Sequence, residues 1–493
     1  MALTPDQAKI KSRLGKSRRE NRGGWVYVHI EGRAEDRGFQ HGYHLASELR
    51  EALRCIRALV EMDEQVTFQW IAANAQAMFK PILENHATAN GVGQQILREI
   101  NGIVEGANSP RLPGDEKDAP NDPPVTLTEL IGWNAYPEMI CQWLPSVKSG
   151  HIKPLISSPG KKAPNLVVQR HLRPPSKARP LDAFHSCSAF VANGKMTDGD
   201  VVIGHTTWQR FSNGDAYNVV LDINPSEGKG ILMQSVPGYV HSSTDFAITG
   251  GKLAVAETSL DFSDFDPKGW PEFFRFRRAC QYAETIDGWC KLFAEGNNGG
   301  YVNTWLLADA GKKKIGAFEI SLKGRELLTD PQSGYFASCN IPLTPTLRKE
   351  NPAAAASEQN ILKSGSRKVR FDQLAAEHKG RVDSELAKVI LADHLDLYDR
   401  TQSPSGRTIC GHLDVDKQGR GDSQAPYYPW GSLDGKVASG QMIRDMRIQA
   451  RWGRACGTPF DADAFFKLNP QYTVLKDYTR DRPYQPWTEF KSS

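Results

Sequence analysis

The chain has 493 residues, of which 39% are hydrophobic and 24% charged, proportions that are typical of a folded globular protein and exclude a largely disordered one. Its 61 Lys and Arg residues against 57 Asp and Glu residues leave a net charge of +4, too balanced to predict a nucleic-acid or anionic-membrane surface. We therefore expect a small-molecule partner and no nucleic acid. The length exceeds the roughly 250–300 residues that one hydrophobic core serves, so two domains or one large elaborated domain are expected.

The compartment is predicted from apolar runs and cysteines. No stretch reaches the roughly 18–20 consecutive apolar residues of a membrane-spanning helix, and the basic amino-terminal stretch lacks the apolar core of a secretory signal. The cysteines are scattered, with no CxxC pair and no Cys/His spacing of a metal site. The sequence thus predicts a cytoplasmic protein with reduced thiols, no transmembrane segment, no metal and no cofactor. The cysteines are Cys55, Cys141, Cys187, Cys280, Cys290, Cys339, Cys410 and Cys456.

The first part of the chain reads as mainly helical. Alternation of apolar and polar residues at 26–31 predicts one early strand. Apolar residues at helical spacing predict helices at 44–60, 66–81, 93–106 and 127–144. Numerous prolines between 107 and 180 predict loops, and we assign 1–145 to a helical segment and 146–186 to a proline-rich linker.

Strands dominate from residue 183 onward. β-branched and apolar runs with turn residues between them predict strands at 188–192, 201–204, 217–222, 230–233, 246–249, 252–258, 302–309 and 314–321. Helices are predicted at 270–294, 367–378 and 383–394. Consecutive strands at hairpin spacing indicate antiparallel sheet, so the fold class predicted is α+β with helices packed outside the sheets.

The most suggestive chemical feature is Cys187, in the run His185-Ser-Cys-Ser-Ala-Phe190. It opens the first strand directly after the proline-rich linker. If the Ser186–Cys187 bond broke by an N-to-S acyl shift, Cys187 would become a new amino terminus whose α-amine, with a pKa of about 8, could act as its own base. The simpler interpretation is a small buried strand residue.

Several stretches resemble one superfamily. The chain resembles the phospholipase B-like proteins and the penicillin acyltransferase-like cysteine hydrolases, both N-terminal nucleophile hydrolases. The similar stretches, in the family's order, are Ser186-Cys-Ser-Ala-Phe, Gly204-His-Thr-Thr-Trp208, Ser235-Val-Pro-Gly with Asp245-Phe-Ala-Ile-Thr, Ala256-Glu-Thr-Ser, Asn298-Gly-Gly-Tyr-Val-Asn-Thr-Trp305 and Tyr335-Phe-Ala-Ser-Cys-Asn-Ile-Pro342. Upstream, Gly32 to Gly42 is similar to the glycine-rich opening of the acyltransferase branch.

The resemblance implies a four-layer αββα sandwich that cuts itself between Ser186 and Cys187. Residues 187–493 would be the catalytic domain, and segment 1–186 would stay associated with it. Cys187 would attack an acyl carbonyl, its α-amine would relay the proton, and polar side chains would hold the oxyanion. A homo-oligomer is left open.

The same resemblance implies roles for further residues, each of which also has a purely structural interpretation. His205 would orient or polarise the nucleophile, and Asn340 and Asn303 are the candidate oxyanion donors. The expected pocket residues are Thr206, which stands where the phospholipase B-like proteins commonly have Asn, together with Trp208, Thr258 and either Arg367 or Arg370. Read without the family, these are core, strand-end or solvated helix residues.

The function predicted is hydrolysis of a non-peptide amide, an N-acyl group on a small amine, through a thioester that could also pass the acyl group to another amine. One alternative keeps the fold and makes the substrate a phospholipid ester. It ranks lower because no interfacial amphipathic helix or basic membrane face is evident. An alternative of another class is a non-catalytic binding protein with an uncut Cys187.

Overall fold

The computed structural model describes residues 4–115, 123–157, 187–242, 246–419 and 425–493. Its helices are α1 (Pro5–Leu14), α2 (Ala34–His44), α3 (Ala46–Glu64), α4 (Phe68–Glu84), α5 (Val92–Asn108), α6 (Leu127–Asn134), α7 (Tyr136–Glu138), α8 (Leu144–Lys148), α9 (Phe211–Gly214), α10 (Glu272–Tyr282), α11 (Ile286–Ala294), α12 (Pro345–Glu350), α13 (Pro352–Ala356), α14 (Gly365–Glu377), α15 (Ser384–Leu391), α16 (Gly440–Arg444) and α17 (Ala462–Leu468). Its strands are β1 (Arg18–Arg22), β2 (Trp25–Gly32), β3 (Cys187–Ala192), β4 (Val202–Arg210), β5 (Val219–Pro225), β6 (Ile231–Ser235), β7 (Phe246–Thr249), β8 (Leu253–Ser259), β9 (Asn303–Asp309), β10 (Lys314–Ile320), β11 (Arg325–Thr329), β12 (Tyr335–Ser338), β13 (Leu395–Asp396), β14 (Thr401–Gln402), β15 (Trp430–Ser432), β16 (Asp434–Ser439), β17 (Arg447–Trp452) and β18 (Thr488–Lys491).

Two large sheets contain most of these strands. The first has nine strands in the order β1-β2-β5-β6-β7-β8-β9-β10-β11, and the second has seven, in the order β12-β3-β4-β16-β17-β18 with β15 also paired to β4. Neighbouring strands are antiparallel except β2 and β5, which pair in parallel. The antiparallel arrangement predicted from hairpin spacing therefore holds for the strands that follow residue 187.

Three clusters of buried apolar side chains define the layers. The central cluster joins the two sheets, with Val191 of β3 and Leu306 of β9 among its members. A second cluster packs α10 and α11 on the outer face of the nine-stranded sheet through Phe276 and Trp289. A third packs α14 and α15 on the outer face of the other sheet, with Phe371 at its centre. The order is helices, sheet, sheet, helices, so the α+β sandwich class is confirmed.

The hairpin from β3 to β4 places the candidate nucleophile. β3 ends at Ala192 and β4 begins at Val202, and residues 193–201 connect the two strands. The register pairs Cys187 with Thr207 and Ala189 with His205. Because side chains alternate along a strand, Cys187, Thr207, Ala189 and His205 share one face, the face toward the other sheet.

The glycine-rich stretch after β2 serves close helix packing. A Cβ on Gly38 would lie 2.0 Å from the carbonyl oxygen of Glu99, and one on Gly42 would lie 2.0 Å from that of Ile103. Only glycine permits α2 and α5 to approach this closely. The contact fixes the position of Glu99, whose buried side chain matters for the whole molecule.

The amino-terminal part contains the predicted helices and also α1, α2 and β1, which were not predicted. β1 (Arg18–Arg22) carries no apolar alternation because it is the exposed edge strand of the nine-stranded sheet. Within the described ranges, no helix is long and apolar enough to cross a bilayer. The domain boundaries at 145 and 186 stay predictions, and Ser186 with most of the predicted linker lies outside the described residues.

Candidate active site

Cys187 is the first residue of β3 and is only 4% exposed. Its backbone nitrogen donates a hydrogen bond to Asn340 Oδ1 at 3.0 Å. Its carbonyl oxygen accepts a hydrogen bond from the guanidinium of Arg367. The backbone nitrogen and carbonyl of Cys187 are thus both held by side chains that are far away in the sequence. These two hydrogen bonds fix the backbone position from which the Cys187 side chain extends.

Asn340 follows β12 in a left-handed backbone conformation, with φ of 66°. Asparagine tolerates this region better than most residues. The conformation is held because the backbone nitrogen of Asn340 donates to Thr258 Oγ1 at 3.3 Å and its Nδ2 donates to the carbonyl of Ser259 at 2.9 Å. The remaining side-chain atom, Oδ1, faces the nitrogen of Cys187 and also accepts from Arg367 Nη2 at 3.0 Å.

The two candidate arginines of α14 occupy different places. Arg367 is fully buried and contacts both the Cys187 carbonyl and Asn340. Arg370 instead forms an ion pair with Asp393 at 2.8 Å. Of the two, Arg367 is the one that the structure brings to Cys187.

His205 joins the two sheets across the central core. Its Nε2 lies 2.8 Å from the carbonyl oxygen of Glu257 in the other sheet, so the tautomer that satisfies this contact carries its hydrogen on Nε2. Burial, together with the nearby charge of Lys436, holds the pKa of His205 well below its ordinary value. The imidazole is therefore neutral, and its Nδ1 has no hydrogen-bond partner among the described residues.

A buried polar cluster beside Cys187 was not predicted from the sequence. Thr207 lies directly opposite Cys187, and its Oγ1 accepts a hydrogen bond from Lys436 Nζ at 2.7 Å. The ammonium also donates to Gln234 and pairs with Asp434 at 3.1 Å. Asp434 in turn accepts from the backbone nitrogen of Thr207 and from Gln234, each at 2.9 Å. The positive charge of Lys436 is thus hydrogen-bonded to Thr207, the residue that lies opposite Cys187.

Thr206 and Trp208 lie on the other face of β4. Thr206 Oγ1 is hydrogen-bonded to Ser432 Oγ at 2.7 Å. The guanidinium carbon of Arg367 lies 4.5 Å from the ring centroid of Trp208, a distance typical of a cation–π contact. Trp208 therefore adjoins the candidate site through Arg367, and Thr206 is bonded to a neighbouring strand.

The last two predicted site residues lie at the ends of neighbouring strands of the nine-stranded sheet. Thr258 is hydrogen-bonded to Ser338 Oγ and to the backbone of Asn340, so it supports the loop that carries Asn340. Asn303 pairs with Ser259 across the sheet and is fully buried. Neither polar atom of its side chain has a partner among the described residues, which leaves its amide available to a bound group.

The family relationship follows from comparison with known proteins. A family model described as Phospholipase B matches residues 55–324, more than half of the chain. The chain belongs to the phospholipase B family. Within this match lie Cys187, His205, Thr258 and Asn303, whereas Asn340 and the α14 arginines come after it.

Curated members of the phospholipase B family are similar over limited segments. Phospholipase B-like protein G of Dictyostelium discoideum is 33% identical over 141 residues, 26% of this chain and 23% of that protein. The putative phospholipase B-like 2 of Caenorhabditis elegans is 30% identical over 183 residues, 32% of this chain and 31% of its own length. The rat protein of the same name is 26% identical over 205 residues, 34% of each chain. The aligned part thus spans about a quarter to a third of each relative.

One expectation about this phospholipase B family chain is wrong. The scattered cysteines predicted no Cys/His cluster, yet the ligand atoms of His394, Cys410, His412 and Cys456 lie within 4.8 Å of one another. The four residues come from three separate parts of the sequence and meet only when the segment after α15, the loop after β14 and the loop after β17 fold together. Short sequence spacing, the signal used to search for metal sites, does not detect such a cluster.

Proposed function

We propose that the chain is a self-processing cysteine hydrolase in which Cys187 becomes the amino-terminal nucleophile. The observation that carries the proposal is the pairing of the Cys187 nitrogen with Asn340 Oδ1 and of the Cys187 carbonyl with Arg367. A side-chain oxygen facing that nitrogen is suited to orient an α-amine. Membership in a family of hydrolases by name supports the reaction class.

The self-cleavage proposed is an N-to-S acyl shift. The sulfur of Cys187 attacks the carbonyl carbon of Ser186, the peptide C–N bond breaks, and the nitrogen of Cys187 takes up a proton as it becomes an amine. Water then hydrolyses the resulting thioester, which leaves a carboxylate on Ser186 and a free thiol on Cys187. Arg367 keeps the β3 end in place because it remains bonded to the Cys187 carbonyl throughout.

Turnover of a substrate uses the same thiol. The α-amine takes the thiol proton, the thiolate attacks the acyl carbonyl, and the amine gives the proton to the leaving group. Water, or a second amine, then takes the acyl group from the thioester. Because Asn340 Nδ2 is bonded to the Ser259 carbonyl, we assign Asn340 to orienting the amine in place of the oxyanion role predicted from the sequence. The amide of Asn303, which has no partner among the described residues, is our candidate donor to the oxyanion.

The substrate class we propose is an N-acyl amide of a small amine. The groups beside Cys187 are polar and charged, namely Thr207, Lys436 and Asn340, and such surroundings suit a compact polar substrate. The second candidate, a phospholipid ester, is favoured by the family's name and by the names of its relatives. None of the eight cysteines is in a disulfide, and we keep the cytoplasm, a reducing compartment, as the proposed location.

Intact mass under denaturing conditions tests the proposal. We expect the wild-type protein to separate into segments 1–186 and 187–493, and Cys187→Ala to remain a single chain. Cys55→Ser serves as the matched control because Cys55 donates only to the carbonyl of Ser212, a bond that serine can keep. A wild-type chain that stays whole and is not labelled at Cys187 by an acyl-type probe would favour the binding-protein alternative.

Substitutions of the two arginines in α14 test whether Arg367 belongs to the site. Lysine cannot reproduce the forked contact of Arg367 with the Cys187 carbonyl and Asn340. We expect Arg367→Lys to slow self-cleavage by up to about 100-fold, the effect of a reacting group displaced by about 1 Å, and Arg370→Lys to slow it much less. Equal effects of the two substitutions would contradict the assignment of Arg367.

A substrate panel separates the two substrate classes. The cleaved protein is offered N-acyl amides and phospholipid esters of matched acyl length, and thioester formation is followed by mass at Cys187. Faster turnover of the amides supports the proposal. Turnover of the esters alone would replace it with the phospholipid alternative.

A further inference from the structure

Four side chains from three separate segments converge beside the seven-stranded sheet. Cys410 and His412 lie in the segment between β14 and β15, His394 follows α15, and Cys456 follows β17. Cys410 and His412 are buried, and the other two are partly exposed. The cluster lies outside the range matched by the family model, which ends at residue 324.

The distances between the ligand atoms are those of one coordination sphere. His412 Nε2 lies 3.1 Å from His394 Nε2, 3.4 Å from Cys410 Sγ and 3.5 Å from Cys456 Sγ. A tetrahedral zinc ion with Zn–N of about 2.0–2.1 Å and Zn–S of about 2.3 Å sets its ligand nitrogens about 3.3 Å apart and nitrogen and sulfur about 3.6 Å apart. The three distances from His412 Nε2 are within about 0.2 Å of these values, and all four ligand atoms lie within 4.8 Å of one another, as expected for the ligands of one ion.

The arrangement of the rings supports this interpretation. The two imidazoles are nearly perpendicular, at 81°, with centroids 4.8 Å apart, and each presents Nε2 to the other. Two neutral Nε2 atoms can share one hydrogen, but a metal satisfies both lone pairs together with both sulfurs.

We propose that His394, Cys410, His412 and Cys456 bind one zinc ion. Two thiolates and two imidazoles in tetrahedral array are the donor set that zinc prefers among the common protein metals. Binding releases the two thiol protons to solvent. Because four protein ligands fill the sphere, no position is left for a water or a substrate, and the ion is structural.

The ion would fix loops that support the candidate active site. A Cβ on Gly411, between two of the ligands, would lie 2.3 Å from the ring of Trp208, so this loop packs tightly on the indole. Trp208 also contacts Arg367, the residue whose guanidinium donates to the Cys187 carbonyl. The backbone of Gly411 also accepts a hydrogen bond from Ser432 of β15 at 2.9 Å. By fixing the loop that contains Gly411, the zinc ion would hold Trp208 and, through it, Arg367 in position.

Metal content of the purified full chain tests the proposal. By inductively coupled plasma mass spectrometry we expect about one zinc ion per wild-type chain. We expect Cys456→Ser to lose this zinc and Cys55→Ser to keep it. Cys456 is chosen because it is partly exposed, so serine there places less demand on folding than serine at Cys410. Zinc retained at the wild-type level in both Cys456→Ser and Cys410→Ser would overturn the assignment.

A second measurement on the wild-type chain does not depend on any variant folding. The zinc is removed with a chelator under reducing conditions and replaced by Co²⁺. We expect the visible absorption of tetrahedral cobalt with sulfur-to-metal charge transfer. A chain that shows no such spectrum, or in which peptide mapping finds Cys410 joined to Cys456 by a disulfide, refutes the zinc site. Both readouts are independent of hydrolytic activity.

Discussion

Thr207 is the residue that the hairpin register places across from Cys187. Its hydroxyl accepts a hydrogen bond from the ammonium of Lys436 at 2.7 Å, and a hydroxyl that accepts one hydrogen bond also has a hydrogen to donate. Lys436 and Asp434 are both fully buried, and a charged pair inside a core is costly unless its geometry is well satisfied. We expect a buried ion pair at this place to serve the chemistry proposed for Cys187 rather than the stability of the fold.

Replacing Thr207 should therefore affect the chemistry more than replacing its neighbour. Thr207→Val keeps the shape and removes the hydroxyl opposite Cys187, and we expect self-cleavage to slow by about tenfold, the equivalent of one hydrogen bond of about 1.4 kcal/mol. Thr206→Val breaks the bond to Ser432 on the other face and should slow it less. The rates are read from the time course of intact mass, and a larger effect of Thr206→Val would contradict the register argument.

A single site residue could be predicted when its signal lies in the neighbouring residues of the sequence, and it was missed when its role depends on tertiary contacts. Cys187 was found because it marks a visible border between loop residues and strand residues. Thr207 was missed because facing Cys187 depends on the exact length of the turn, and a one-residue slip exchanges it with Thr206. The Cys/His cluster was missed because residues as distant as His394 and Cys456 meet only through tertiary structure.

Among the elements, strands with continuous apolar runs were predicted, whereas β16 and β17 were missed because charged residues interrupt their apolar residues. The helices of the first part that were predicted have one apolar face. β1 is an edge strand of charged and polar residues, and it was missed although Gly23 and Gly24 form the two-residue turn that joins it to β2. The parallel pairing of β2 with β5 was also not predicted, since no local turn specifies it.

α7 carries a buried carboxyl group whose pKa is strongly perturbed. Burial raises the pKa of Glu138 to about 8, although a hydrogen bond from Asn298 opposes the shift. The folded chain then holds this proton more tightly than the unfolded chain, whose glutamate has an ordinary pKa of 4.5. It follows that the free energy of unfolding contributed by this group falls as the pH rises from 4.5 to about 8, and is constant above that range.

Glu138→Gln should remove this dependence because the amide is neutral at every pH in the range. We expect the variant to gain stability relative to the wild type as the pH is raised from 4.5 toward 8, measured by urea unfolding at several pH values. Glu385→Gln, at a glutamate whose side chain is 72% exposed, should follow the wild-type profile. A constant difference between Glu138→Gln and the wild type would show that the carboxyl is ionised in the folded chain.

On the scale of the whole molecule, the segments on either side of residue 186 are one folded unit. β2 pairs with β5 over seven residue pairs inside the nine-stranded sheet. The Glu99 carboxylate of α5 accepts hydrogen bonds from Arg277 of α10 at 2.9 and 3.1 Å and from Arg37 of α2 at 2.6 Å. Cleavage before Cys187 would therefore leave two segments joined through a common sheet and a common buried charge cluster.

Glu99 is the residue through which that association can be tested. Glu99→Gln keeps the shape but leaves two buried guanidinium groups without a counter-charge, and we expect a loss of about 3–5 kcal/mol in the free energy of unfolding. The cleaved wild-type protein should elute as one species under native conditions and separate into two segments only in denaturant. Glu105→Gln, on the same helix with a side chain 56% exposed, should unfold at nearly the wild-type denaturant concentration. If the wild-type segments separate without denaturant, or if Glu99→Gln is as stable as Glu105→Gln, the shared core does not hold them together.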